Sequence, residues 1–299
     1  MTEFLQQLVN GLSLGAIYAL IALGYTMVYG VLRFINFAHS EVFMVGAMIG
    51  LGLGRHLPEG TLWGGLVVLA AAMAGGALLG VTIERLVYRP LRGTATLNVL
   101  ITAIGVSLLL QSVFQHPQVF GATPQLFPAV FPVKKIAFGG LVISSNQLVV
   151  ITVAALLIVV LQLVVFRTRM GTAMRAVALN PSAAQLVGVN LNAVISFTFA
   201  LGSALAGAGG VLYALNYPSV EPLMGVMPGL KAFVAAVLGG IGSIPGAALG
   251  GLILGTVETL VGGSAALSTY KDAIAFAVLI LILLCRPTGL LGRTATEKV

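Results

Sequence analysis

The stretch LVNGLSLGAIYALIALGYTMVYGVL, residues 8–32, runs for 25 residues without a charged side chain. At ~1.5 Å per residue, a helix of this length exceeds the ~30 Å hydrocarbon core of a bilayer. The whole chain shares this character, since 59% of its 299 residues are hydrophobic and 8% are charged, against roughly 25% charged in an ordinary soluble domain. The sequence therefore predicts a polytopic α-helical membrane protein and excludes a soluble globule or a disordered chain.

Further apolar stretches, with few or no charged residues, predict the other membrane segments. Residues 245–262 form a long stretch that contains Glu258 and two GxxxG pairs, so its backbone must approach a neighbour closely. Three stretches would rise only ~20 Å or less and must borrow flanking residues or form half-helices. We expect one all-α domain over residues 1–299, a helical bundle with eight or nine membrane-embedded segments, some broken or half-length. The long stretches are 61–83, 97–114, 147–166 and 191–215, and the short ones are 42–54, 232–242 and 273–285.

The basic residues predict the topology. They collect in three clusters, and short loops rich in Lys and Arg face the cytoplasm. Even numbers of crossings separate the first two clusters, which places the connection 115–146 outside. We therefore expect the N-terminus to lie outside and the C-terminus to lie in the cytoplasm. The clusters are Arg85, Arg89 and Arg92, then Arg167, Arg169 and Arg175, then Arg286, Arg293 and Lys298.

Motifs for nucleotide and metal chemistry are absent from the sequence. No GxxxxGK[ST] phosphate-binding loop and no HExxH occur. His39, His56 and His116 lie too far apart in the sequence to suggest a local metal site. The basic residues form no run of the kind that nucleic-acid binding needs. We expect no catalytic residue, no metal and no cofactor, and we predict that the protein is not an enzyme.

Polar residues follow the first predicted helix. Asn36 is placed to cap the next helix, with Glu41 in the early turns, where the positive end of the helix dipole favours an anion. The alternative is functional: Asn36, His39 and Glu41 line a pathway or gate at the cytoplasmic mouth, because polar clusters inside bundles mark pathways.

A glycine-rich turn is predicted near the other end of the chain. Pro245 and the glycines before it cannot continue a regular helix, so Gly239, Gly240 and Ser243 are candidates for the pathway or for a helix break. Glu258 is either a further pathway residue or a partner in an interhelical hydrogen bond or ion pair. Lys231 can snorkel and needs no special role.

Residues 167–190 form the most informative segment on the cytoplasmic side. Residues 180–188 carry the start and stop signals of a short helix, with Asn180 as N-cap, Pro181 in the first position and Gly188 at the end. Such a helix presents Leu186 and Val187 as a small apolar ridge that suits a groove on another protein, although a plain loop helix is the alternative. The candidate docking residues are Arg175, Asn180, Pro181, Ser182, Ala183, Ala184, Gln185, Leu186 and Gly188.

Several motifs resemble one family over nearly the whole chain. Ser182, Ala183 and Ala184 followed by Gly188 resemble the E-A-A-x-x-x-G signature of ABC importer permeases, with serine in place of the glutamate. The other motifs resemble branched-chain amino-acid ABC permeases of the LivH type, within the branched-chain amino-acid/ribose class. Ser40 departs from the family, which has glycine there. These motifs are INFAHSE at 35–41, IERLVYRPLR at 83–92, LGGIGSIPG at 238–246, YKD at 270–272 and RPTGLLGR at 286–293.

The resemblance implies a function and a set of partners. The chain would translocate leucine, isoleucine or valine across the bacterial inner membrane together with a second, M-type permease. Two cytoplasmic ATPase subunits would dock on segment 167–190, and a periplasmic binding protein would deliver the amino acid. A urea or short-chain amide ABC permease shares this architecture and stays an alternative. The alternative from another class is a secondary transporter or channel that works without ATP.

Overall fold

The computed structural model of the chain describes residues 2–264 and 266–292. A π-helical turn, Glu84–Tyr88, extends the third helix, and a short 3-10 turn, Ser268–Tyr270, precedes the last one. The short strands are β1 Gln125–Leu126, β2 Lys135–Phe138, β3 Leu141–Ser144 and β4 Ser219–Val220. The helices are α1 Thr2–Leu32, α2 His39–Gly54, α3 Leu62–Ile83, α4 Thr96–Gln115, α5 Ser145–Arg167, α6 Arg169–Leu179, α7 Pro181–Leu186, α8 Leu191–Asn216, α9 Val226–Gly239, α10 Ile244–Gly262 and α11 Lys271–Cys285.

The predicted membrane segments are all helical. Seven helices within the described residues are long and apolar enough to cross a membrane, and α2 and α9 are shorter apolar helices. This confirms an all-α bundle of eight or nine embedded segments. The short stretch 232–242 borrows flanking residues as expected, since its helix starts at Val226, but the helix stops at Gly239 and does not reach residue 242. It stops there because Gly240 and Gly242 have φ angles of 103° and 91°, which lie outside the helical region.

Helix α1 is the centre of the bundle, and 94% of its apolar 18-residue stretch is buried. Helix α10 packs along it through small residues, since Gly255 lies against Gly15 and Gly251 against Ala19 with no room for a Cβ on either glycine of α10. The other GxxxG pair of α10 faces α9, where Gly250 meets the carbonyl of Ala235. The predicted close approach of residues 245–262 to a neighbour is confirmed, and it occurs on two faces.

Helices α3, α2 and α8 form a second closely packed group. Gly76 and Gly80 of α3 lie against Ser203 of α8, and Gly46 of α2 lies against Gly207. Without a hydrophobic driving force inside the bilayer, such backbone-to-backbone contact provides the van der Waals energy of association. These small residues therefore fix how the three helices cross.

The two ends of the bundle differ. At the end that we call the hairpin end, β2 pairs with β3 and β1 pairs with β4, and Gln6 of α1 donates a hydrogen bond to the carbonyl of Val142 at 2.9 Å. The sequence predicted only a connection outside the membrane over 115–146, because strands of four residues or fewer give little periodicity. The opposite, arginine-rich end carries Arg85, Arg167 and Arg286; Arg293 and Lys298 lie outside the described residues.

The two short helices run from the bundle interior towards opposite ends. Helix α2 has 16 residues and α9 has 14, so they rise ~24 Å and ~21 Å, less than the ~30 Å core. Gly54, at the end of α2, packs on Pro128 of the hairpin end. Gly225 and Gly229, at the start of α9, pack on Ser40 in the first turn of α2. The first turns of both half-length helices therefore meet inside the bundle.

Candidate functional site

The polar residues at the start of α2 have separate roles. The prediction that Asn36 caps α2 was wrong. The N-cap is Ala38, which makes no side-chain hydrogen bond to the helix. Instead the Asn36 Oδ1 atom accepts a hydrogen bond of 2.6 Å from the Tyr88 hydroxyl. Asn36 bonds Tyr88 and not the backbone of α2, because Tyr88 is buried and its hydroxyl needs an acceptor. His39 is buried, with its ring 4.7 Å from the ring of Tyr25.

Glu41 lies in the first turn of α2 and is 0% exposed. Its Oε1 atom accepts hydrogen bonds from Ser107 Oγ and Gln111 Nε2 of α4, both at 2.9 Å. Ser40 Oγ lies 3.3 Å from the same oxygen, but it donates its hydroxyl hydrogen more closely to the Phe37 carbonyl, at 2.9 Å. Within the described residues Glu41 Oε2 has no hydrogen-bond partner. The carboxylate is thus half satisfied.

A cavity of ≈ 230 Å³ adjoins Glu41. It lies where α1, α2, α4 and α9 meet and it opens between α4 and α9, where Leu108 is 57% exposed and Leu230 43% exposed. Its walls are mainly apolar and aromatic. The lining residues are Tyr25, Phe37, Ser40, Glu41, Ile104, Ser107, Leu108, Gln111, Val226, Leu230 and Phe233.

The glycine-rich turn between α9 and α10 faces the arginine-rich end. Ser243 is the N-cap of α10, and its hydroxyl accepts a hydrogen bond from Gly246 N at 3.2 Å. The carbonyls of Leu238 and Gly239 accept hydrogen bonds of 2.9 Å from the backbone of Leu290 and Leu291. A Cβ on Gly240 would collide with the backbone of Gly292. Gly239 and Gly240 therefore contact the chain's own segment 288–292, whereas Ser243 caps α10.

Glu258 belongs to a buried ionic cluster. Its Oε1 atom lies 2.6 Å from Lys231 Nζ, its Oε2 atom accepts a 2.9 Å hydrogen bond from the Tyr18 hydroxyl, and Lys231 also lies 2.7 Å from Asp272. The interhelical ion pair considered for Glu258 is present. The expectation that Lys231 snorkels was wrong, because its side chain is 7% exposed. The side chain has two carboxylates within reach inside the protein, so it needs no path to the interface.

A second buried carboxylate lies at the arginine-rich end. Glu84 is 0% exposed; it forms an ion pair with Arg92 and accepts a 2.6 Å hydrogen bond from Ser196. Burial lowers the pKa of the Arg92 guanidinium, and the charge of Glu84 opposes that shift. Arg92 also donates to Asn192 at 2.6 Å. The cluster joins the end of α3 to the start of α8.

Segment 167–190 forms α6 and α7. Asn180 caps α7 by accepting from Ala183 N at 3.0 Å, Pro181 is in the first turn, and Gly188 has a φ of 87°. The predicted start and stop signals are confirmed. Arg175 lies over the ring of Phe166, with its guanidinium carbon 5.4 Å from the ring centre.

Leu186 and Val187, which the sequence predicts as an apolar ridge, are exposed, and Leu179 of α6 joins them. Ala184, included in the docking surface, is 3% exposed and faces the core, because a helix of six residues must turn one side inward to pack. Leu179, Leu186 and Val187 are 81%, 89% and 80% exposed. We call these three residues the apolar ridge.

The structure does not bring the predicted pathway residues into one site. Glu41 alone among them lines the cavity between α4 and α9; Asn36, Ser243 and Glu258 serve helix packing and capping. Ser107 and Gln111 were missed by the sequence analysis. Their signal was legible: two polar residues spaced i, i+4 fall on one face of an apolar helix.

Serine-hydrolase and metal chemistry have no support in the described residues. The sequence contains one G-x-S-x-G, at 11–15, but it lies inside α1 and not at the strand-to-helix turn that a nucleophile elbow requires. Ser13 there accepts a 2.8 Å hydrogen bond from Asn216. No three His, Cys, Asp or Glu side chains of the described residues lie close enough to hold a metal ion.

Comparison with known proteins gives full-length similarity. The family described as "Branched-chain amino acid transport system / permease component" matches residues 7–283. The permease protein BraD of a high-affinity branched-chain amino acid transport system from Pseudomonas aeruginosa is 46% identical over 99% of this chain and 98% of its own. LivH from Escherichia coli K12 is 45% identical over the same shares. A probable LivH from Methanocaldococcus jannaschii is 30% identical over 91% of this chain and 88% of its own.

Proposed function

The chain belongs to the branched-chain amino acid transport permease family, and on that premise we propose that it is the LivH-type permease subunit of an ATP-driven importer of leucine, isoleucine and valine. It is a multi-pass membrane component of a transport system and not an enzyme. The observation that carries the substrate proposal is the 45–46% identity to branched-chain amino acid permeases along the whole chain.

The partners follow from the type of importer. In this proposal the chain lies in the bacterial inner membrane together with a second, M-type permease. Two ATPase subunits bind on the cytoplasmic side, and a binding protein delivers the amino acid from the periplasm. The arginine-rich end is cytoplasmic in this proposal, because short basic loops face the cytoplasm, and the hairpin end with the N-terminus is periplasmic. The C-terminus then lies in the cytoplasm.

The ATPase subunits dock on segment 167–190 in this proposal. The sequence contains no phosphate-binding loop, so the energy of ATP must enter through a protein contact. Support comes from the apolar ridge, because three nearly fully exposed apolar side chains beyond the membrane helices suit a groove on another protein. Arg175, exposed nearby, adds a charge contact.

Reconstitution tests the transport function. The complete complex in proteoliposomes, with its binding protein, should accumulate leucine only when ATP is supplied to the ATPase side. Accumulation without ATP would instead make the chain a secondary transporter or channel. Preferential uptake of urea or a short amide would reject the amino-acid substrates.

A charge on the apolar ridge tests docking. Leu186→Asp should reduce ATPase co-purification and substrate-stimulated hydrolysis about tenfold or more, because a carboxylate would replace an anchor in an apolar groove. Thr96→Asp is the control, since it adds the same charge at an exposed position at the start of α4, outside segment 167–190. Unchanged co-purification of Leu186→Asp would move the contact to residues 85–92.

A further inference from the structure

Glu41 is a buried carboxylate with no cation beside it. The ion pairs of the described residues involve Glu84, Glu258 and Asp272, and none involves Glu41. An isolated charge in a low-dielectric interior is costly, so it needs donors or a cation. Its two close donors come from α4 and both point at Oε1, which leaves Oε2 as an acceptor without a partner.

Two features favour the charged form of Glu41. It lies in the first turn of α2, where the helix dipole stabilises an anion. The hydroxyl of Ser107 and the amide of Gln111 are neutral donors, and hydrogen bonds to a carboxylate are stronger than bonds between neutral groups. The site is thus prepared for a negative charge whose counter-ion comes from elsewhere.

The adjoining cavity has the size and lining for a small molecule that carries an ammonium group and an aliphatic side chain. Its ≈ 230 Å³ correspond to about eight water molecules at ~30 Å³ each, the size class of a single amino acid. Aromatic rings of Tyr25, Phe37 and Phe233 form one wall, with Phe233 6.0 Å and 6.3 Å from the other two ring centres. Such rings attract an ammonium group and also accept an aliphatic side chain.

We infer that Glu41 Oε2 binds the α-ammonium group of the amino acid during transport, while the aliphatic side chain lies against Leu230 and Phe233. The inference rests on the proposed function and adds a substrate contact to it. The contact is transient: one charge-assisted hydrogen bond in a cavity that opens between α4 and α9 allows release, whereas a fully closed ionic site would hold the substrate.

Glu41→Gln separates binding from structure. The glutamine carbonyl still accepts from Ser107 and Gln111, so the link between α2 and α4 stays, but the charge is gone. Leucine uptake by the reconstituted complex should fall about tenfold or more, the factor expected for one charge-assisted hydrogen bond. Ser107→Ala is the matched variant, since it removes a donor but keeps the charge, and its uptake should stay well above that of Glu41→Gln.

A measurement that needs no transport reports the charge directly. Leu108→Cys, in a chain whose native Cys285 is replaced by serine, places a thiol on the cavity wall. A cationic thiosulfonate reagent should modify it faster than an anionic one of equal size, and Glu41→Gln should abolish this preference. Glu84→Gln is the control. It removes a buried carboxylate at the arginine-rich end that does not line this cavity, so it should leave the preference unchanged.

The outcomes separate the two proposals. Leucine uptake by Glu41→Gln at the unmodified rate, or equal modification by both reagents with Glu41 intact, would overturn the ammonium contact. Failure of the unmodified complex to transport leucine would reject the proposed function, whereas the reagent preference would still report the charged site. If Glu41→Gln does not fold, the preference in the chain with Glu41 intact decides.

Discussion

Lys231→Met should destabilise the protein more than any surface change, because Lys231 neutralises two carboxylates on two other helices. Its Nζ atom lies 2.6 Å from Glu258 and 2.7 Å from Asp272. Without it, Glu258, which is 5% exposed, keeps only the Tyr18 hydroxyl. Removing one partner of a buried pair costs about 3–5 kcal/mol, which corresponds to a fall in melting temperature on the order of 10 °C.

The assay is the loss of monodisperse protein after heating, followed by size-exclusion chromatography. Lys271→Met is the control, since it removes an exposed lysine at the start of α11 and should cost less than about 1 kcal/mol. The double variant Lys231→Met with Glu258→Gln should be more stable than Lys231→Met alone, because no unpaired carboxylate stays at Glu258. Additive losses, or a Lys231→Met protein as stable as the control, would refute the reasoning.

Three further changes have defined outcomes. Gly240→Leu should expose the segment 288–292 to protease and abolish uptake, because the glycine has a φ of 103° and no space for a Cβ; normal uptake and protection would make the turn a tolerant loop. Tyr88→Phe should lower the free energy of unfolding by about 1–3 kcal/mol, since it leaves Asn36 Oδ1 buried without a donor, and thermal unfolding measures it. Thr2→Cys and Leu179→Cys, in a chain without the native cysteine, should react with impermeant reagents from opposite sides of the membrane; reaction from the same side would reject the topology.

The membrane helices could be predicted from the sequence because their signal is local. An uncharged stretch such as residues 8–32 can be recognised without knowing which segments lie next to it. Inside a bilayer such a stretch forms a helix, because a helix satisfies all its backbone hydrogen bonds internally. The glycine pairs of α10 likewise indicate close packing wherever the partner lies. Which partner they meet, α1 or α9, depends on the tertiary arrangement.

The side-chain roles could not be predicted because they depend on partners far away in the chain. Asn36 has the sequence position of a helix cap, yet it binds Tyr88, 52 residues later. Lys231 could reach an interface as easily as an ion pair, and only the placement of Glu258 and Asp272 decides. Ala184 shows the same limit on a smaller scale, since a helix of six residues does not reveal its buried side.

The glycine-rich turn between α9 and α10 also has an implication for the synthesis of the chain. The carbonyls of Leu238 and Gly239, at the end of α9, are bonded by Leu290 and Leu291, which a ribosome adds about fifty residues later. Until then these helix-terminal acceptors lack their final partners. Residues 226–292 therefore mature as one unit, and a nascent chain stopped before Leu290 would present an incomplete helix end to the quality-control proteases of the membrane.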